Sequence, residues 1–93
     1  MLKVKIEQMI NWEGRSVANQ FIIDTEEGLF FQSYKSIVAF EPRSGEKTVL
    51  DEKYWDYSRT TLKYLKLFLG VTDSKKELES KINSGEYKLA NLN

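Results

Sequence analysis

Neither cysteine nor histidine occurs among the 93 residues. Without thiol or imidazole the chain has no disulfide, no thiolate nucleophile, no zinc site built on those ligands and neither a Ser-His-Asp nor a Cys-His arrangement. Most hydrolytic and metal chemistry is removed with them, and the expected class is not an enzyme. An excess of one charge is also missing, with 14 Lys+Arg against 14 Asp+Glu, so the chain lacks the global basic surplus of a domain that lives on nucleic acid. No run approaches ~18 apolar residues, which leaves no membrane span. Met1 to Ile10 alternate charged with apolar side chains, which does not support a signal peptide. A cysteine-free chain of this kind fits the cytoplasm. Proline occurs once and glycine five times, so the strong turn signals are few and readable.

What is present is 41% hydrophobic and 13% aromatic residues, enough for one compact domain over residues 1–93. A chain of this size buries roughly 60–65% of its unfolded surface around one core. Charge is uneven along it: residues 1–56 carry 7 basic and 10 acidic side chains, a net of −3, and residues 57–93 carry 7 and 4, a net of +3. Between Tyr57 and Thr72 there is no acid, while Arg59, Lys63 and Lys66 are basic. At spacings i, i+4 and i+7 these three share one face of a helix.

Leu2, Val4 and Ile6 alternate with Lys3, Lys5 and Glu7, which predicts a strand with one buried and one wet face. Asn11 to Arg15 reverse the chain through Gly14, and a second strand follows over about Ser16–Thr25. Glu26-Glu27-Gly28 make a tight hairpin in which Gly28 takes the required backbone conformation. The third strand, about Leu29–Phe40, is interrupted by Gln32, Ser33 and Ser36, which predicts a bulge or bend. Pro42-Arg43-Ser44-Gly45 is the strongest turn signal, and Thr48 to Leu50 resume a short strand. A helix begins near Ser58, whose hydroxyl can cap Thr60 or Thr61, buries a stripe of Leu62, Leu65, Phe68 and Leu69, and stops at Gly70. Ser74 to Glu77 form a capping box for a second helix that buries Leu78 and Ile82 and ends at Gly85. Tyr87 and Leu89 alternate as a last strand. The fold class is α+β: an antiparallel sheet of four or five strands with two helices packed on one face, and with the first and last strands at the edges.

Asn11-Trp12-Glu13-Gly14-Arg15, Ala18-Asn19-Gln20-Phe21, Phe31-Gln32-Ser33-Tyr34, Tyr57-Ser58-Arg59-Thr60-Thr61 and the closing Lys76-Glu77 to Gly85-Glu86-Tyr87 resemble a family of small uncharacterised proteins encoded by bacteriophages and mobile elements of low-GC Gram-positive bacteria. The resemblance spans most of the chain. It implies an accessory protein that binds and blocks a host component, defence machinery included, and it carries over no catalytic residue.

Three groups of residues are candidate binding sites. Tyr57, Ser58 and Arg59, with Thr60 and Thr61, put hydroxyls, a cation and free amides at a helix start where the dipole favours anions; Lys63 and Lys66 extend that positive face. The same Ser and Thr residues also serve as ordinary caps. Asn19, Gln20, Gln32, Ser33 and Tyr34, with Arg15 and Lys35 if they lie close, offer amides and an aromatic ring on neighbouring strands; the plain alternative is that the amides satisfy bulged backbone. Trp12, Tyr54, Trp55, Tyr57, Tyr64 and Tyr87 form an aromatic surplus of which Tyr54 and Trp55, flanked by charges, are the interface candidates and the rest mostly core. Asp51, Glu52 and Asp56, like Asp24, Glu26 and Glu27, lack the alternating spacing of a calcium loop, and no metal or cofactor is expected.

The expected function is a non-catalytic binding protein whose partner is a host or phage protein. Binding of nucleic acid or a nucleotide by the Arg59, Lys63 and Lys66 face is the alternative. No membrane contact is expected, and monomer and homodimer are both compatible with the residues.

Overall fold

The computed structural model describes residues 3–93. The alternating N-terminal segment forms β1 (Lys5–Ile10), paired antiparallel with β2 (Ser16–Asp24). In the turn between them Asn11 Oδ1 accepts from the backbone N–H groups of Glu13 and Arg15, both at 3.0 Å. The expected burial of one face is corrected: Val4 and Ile6 are exposed, and only Met9, at a register shift, reaches the core. The reason is position: β1 is an edge strand, and Ile6 stands in register with Ile23 on the face that the helices leave uncovered. Leu2 lies outside the described residues.

The hairpin at Glu26-Glu27 leads into β3 (Gly28–Ser33). Gly28 has φ 150°, and a Cβ there would collide with the carbonyl oxygen of Glu41 and the ring of Phe40, so the close approach of the neighbouring strand excludes any larger residue. The single long third strand of the sequence reading is two strands. The chain folds back at Tyr34-Lys35 into β4 (Ser36–Pro42), which brings the sheet to six strands instead of four or five. Tyr34 sits at φ 56°, the left-handed region that glycine or asparagine normally fills, so composition gives no turn signal there. It is held by its N–H donating to the Asn19 carbonyl at 2.7 Å and by Gln32 Nε2 donating to its own carbonyl at 2.7 Å. Asn19 is itself at φ 64°. The expected bulge is present too: the register jumps between Phe31 and Gln32 and leaves Val38 as the extra residue of β4.

The Pro42–Gly45 turn leads to β5 (Val49–Asp51). The chain then crosses through α1 (Arg59–Leu69) and α2 (Lys75–Asn83) and returns as β6 (Lys88–Ala90), parallel to β5. Strand order follows the chain, with β1 and β6 at the edges. Every other pairing is antiparallel. Ser58 Oγ accepts the Thr61 N–H at 3.1 Å, and Gly70, at φ 72°, closes α1. Ser74 and Glu77 form the expected capping box on α2, at 3.0 and 3.2 Å. Among the described residues, no helix is long and apolar enough to cross a membrane.

Cross-strand register divides the sheet into two faces. Phe31, Ala39 and Leu50 lie in one row and are completely buried with Leu65 of α1 and Leu78 of α2. The buried side of α1 is turned slightly from expectation: Thr61 and Tyr64 join Leu65 inside, while Leu62, Phe68 and Leu69 are half-buried against the core. Asp51 is buried where the chain leaves β5. It accepts from the backbone N–H groups of Lys53, Tyr54 and Leu92 and from Asn93 Nδ2, at 2.7–3.0 Å. Burial pushes its carboxyl up, but the donated hydrogen bonds outweigh that and hold it below the usual carboxylate range.

Candidate functional site

The fold-back at Tyr34-Lys35 and the start of α1 meet on the helix side of the sheet and enclose a groove of about 610 Å³. Its floor is held by hydroxyls bonded to one another. Ser33 and Thr61 share a hydrogen bond of 2.9 Å, and Ser58 Oγ donates to Thr61 Oγ1 at 3.1 Å. This contact explains why a threonine can be buried on α1: its hydroxyl is satisfied by β3.

The walls are aromatic and polar. Tyr34 and Tyr57 are 51% and 70% exposed. Tyr57 also rests against Tyr54, the ring centroids 5.6 Å apart and tilted by 58°. Among the described residues, the hydroxyls of Tyr34, Tyr57, Ser36 and Thr60 take no protein partner, and of the side chains lining the groove Lys35 alone is charged. The arrangement can donate and accept hydrogen bonds and stack rings on a ligand; no carboxylate lines it.

Two candidate groups that are separate in the sequence are thus joined, Tyr34 from one and Tyr57 and Ser58 from the other. Arg59 is exposed on the first turn of α1 beside the groove without lining it. Lys63 and Lys66 continue along the helix, away from the groove, and none of the ion pairs among the described residues involves Arg59, Lys63 or Lys66. Lys63 Nζ stands 5.7 Å from the ring of exposed Trp12 and 5.4 Å from that of Tyr64, so a tryptophan of the β1–β2 turn joins the positive face.

Other expectations change. Trp55 was expected at the surface and is only 8% exposed: its N–H donates to the Asp51 carbonyl at 3.1 Å, and this tight turn carries the indole into the core beside Ile82 of α2. Gln20 was expected to offer its amide and is completely buried on the helix side. Gln32 spends its amide on the Tyr34 carbonyl, and Arg15 lies in the β1–β2 turn, 3.9 Å from Glu13. Asn19 is exposed and shapes the groove through its carbonyl. Ser36 and Val38 line the groove unanticipated; the polar interruption of the third strand was the signal that could have located them.

No curated protein and no solved structure matches the chain significantly. Residues 4–85 match the model of a Family of unknown function (DUF8033), and the chain, most of which that match covers, belongs to this family.

Proposed function

We propose that this chain is a non-catalytic binding protein of phage or mobile-element origin, acting in the host cytoplasm, that engages a host or phage protein through the Tyr34–Tyr57 groove. One observation carries the reading: two exposed tyrosines and several unpartnered hydroxyls converge on a groove without a carboxylate, imidazole or thiol. Tyrosine combines a large apolar area with a polar tip and few rotatable bonds, which is why it is enriched where proteins dock. The resemblance to phage-encoded chains supports a host defence component as the target, with occlusion as the means of inhibition. Affinity capture from host lysate tests it. The expected result is recovery of one protein by the wild-type chain and its loss with both Tyr34→Ala and Tyr57→Ala, each removing about 1–2 kcal/mol or more of binding energy. Repeated recovery of nothing by folded protein, or recovery undisturbed by either substitution, contradicts it.

A second reading has its own observation, the exposed Trp12 ring beside Lys63 on an acid-free helix face. Aromatic stacking next to unpaired cations is the chemistry of single-strand nucleic-acid binding. Fluorescence anisotropy of a labelled oligonucleotide distinguishes it. Binding at ~50 mM salt, weakening with a log–log slope of ~0.7 per phosphate neutralised and lost in Lys63→Ala, supports this reading, and a flat response removes it.

A further inference from the structure

The helix-free face of the sheet carries a continuous apolar row, Ile6, Ile23, Phe30, Phe40 and Val49, one residue from each of β1 to β5 in register. The next row runs through Phe21, Gln32 and Ile37, two residues along β2 from Ile23 and, across the bulge at Val38, three along β4 from Phe40, on the same face. None of these side chains belongs to the core or packs against it. Phe30 and Phe40 stack with their centroids 4.4 Å apart, and Ile6 is 62% exposed. Single exposed apolar residues are ordinary, but a contiguous patch of this kind marks an interaction surface.

We propose that this face binds a second copy of the chain, sheet against sheet, on the side opposite the Tyr34–Tyr57 groove. Area and charge both point to this occupant. Five strands ~4.8 Å apart over ~20 Å of strand length give a footprint of roughly 480 Å² per copy, so two faces together come to roughly 960 Å², close to the ~1,000 Å² at which specific interfaces begin. From β1 to β5 the rows contain no charged side chain, only Gln8 and Gln32 among the apolar groups, so a second copy can be laid on without burying a charge. Charges stand at the margins instead: Lys88 of β6 beside Val49, and at the β2–β3 end Lys3 and Arg43, the latter already paired with Asp24 at 2.7 Å. Glu26 and Glu27 border Phe30 and Phe40 at the β2–β3 turn, and Lys35 occupies the β3–β4 turn at the other end of the same strands. Two copies stacked with their strands antiparallel bring Lys35 of each toward Glu26 and Glu27 of the other. Packed sheets accept such an alignment, with their strands within about 30° of each other.

Sedimentation equilibrium over a concentration series decides the matter, using wild type, Phe30→Glu and Ile6→Lys. Wild type is expected at about twice the 10.9 kDa of one chain. Both variants are expected to dissociate at least ~10-fold more readily, with far-UV circular dichroism unchanged, a loss equivalent to ~1.4 kcal/mol. Ile6→Lys guards against a folding failure of Phe30→Glu, since Ile6 is exposed on an edge strand. Zero-length cross-linking is expected to join Lys35 to Glu26 or Glu27 between copies, because within one chain the length of β3 keeps these groups ~20 Å apart. A wild-type chain monomeric up to its solubility limit, or a dimer that survives both substitutions, overturns the proposal. Neither dissociation result bears on the Tyr34 and Tyr57 rings, which lie on the other face; Lys35, which also lines the groove, enters only the cross-linking arm.

Discussion

Asp51 gathers the C-terminal end of the chain around one carboxylate. Three backbone amides and the Asn93 side chain donate to it, and Asn93 also bonds the N–H and carbonyl of Ile37, so β4, β5 and the chain end are tied at a single buried charge. With the folded carboxyl held below its usual value, the unfolded chain binds the proton more readily. The stability that Asp51 supplies is therefore complete above ~4, the ordinary carboxylate range, and is lost as pH falls through the lower folded value. Asp51→Ala is expected to cost about 2–3 kcal/mol at neutral pH by stranding buried donors, and to flatten the acid limb of stability measured by urea titration between pH 3 and 7. Gln20 is the opposite case. Its amide oxygen and nitrogen are both buried without a protein partner, an arrangement that costs stability. Gln20→Met, close in shape, is expected to raise the denaturation midpoint by the equivalent of about 1 kcal/mol.

The turn between β3 and β4 and the start of α1 carry the proposed function, and they differ in how far the sequence reveals them. Ser58, Gly70, Ser74 and Glu77 declare the helix ends because capping depends on residue type at fixed offsets, and all four act as read. Ser58→Ala is expected to cost about 1 kcal/mol, the usual loss for an N-cap, in thermal or chemical denaturation. Gly28 and Pro42 likewise declare their turns. Tyr34-Lys35 does not, because its geometry is imposed from outside by the Asn19 carbonyl and the Gln32 amide, and neither residue is a turn former. The same position offers a direct test of strain kept for function. Tyr34→Gly is expected to leave stability unchanged or raise it by about 0.5–1 kcal/mol, since glycine accepts the left-handed conformation without penalty, while abolishing capture of the partner. A loss of stability together with binding would show that the tyrosine ring serves the fold.

The six strands and two helices together leave one face covered and the other bare, and sequence pattern does not say which is which. The alternation of Val4 and Ile6 correctly reports a strand, but which side the helices cover depends on where α1 and α2 land, and they cover the row through Phe31 and Leu50. Trp55 illustrates the same point in reverse, since its charged neighbours suggest the surface while the turn over Asp51 takes it inside. The groove emerges only when β3, β4 and α1 are assembled, bringing Tyr34 and Tyr57 together from distant parts of the chain. The account rests on that groove being the contact surface, and hydrogen–deuterium exchange of the captured complex tests this most directly. New protection is predicted at residues 33–38 and 54–61, the two segments that line the groove, in the presence of the partner. Unchanged exchange there, with protection appearing elsewhere, would contradict the account.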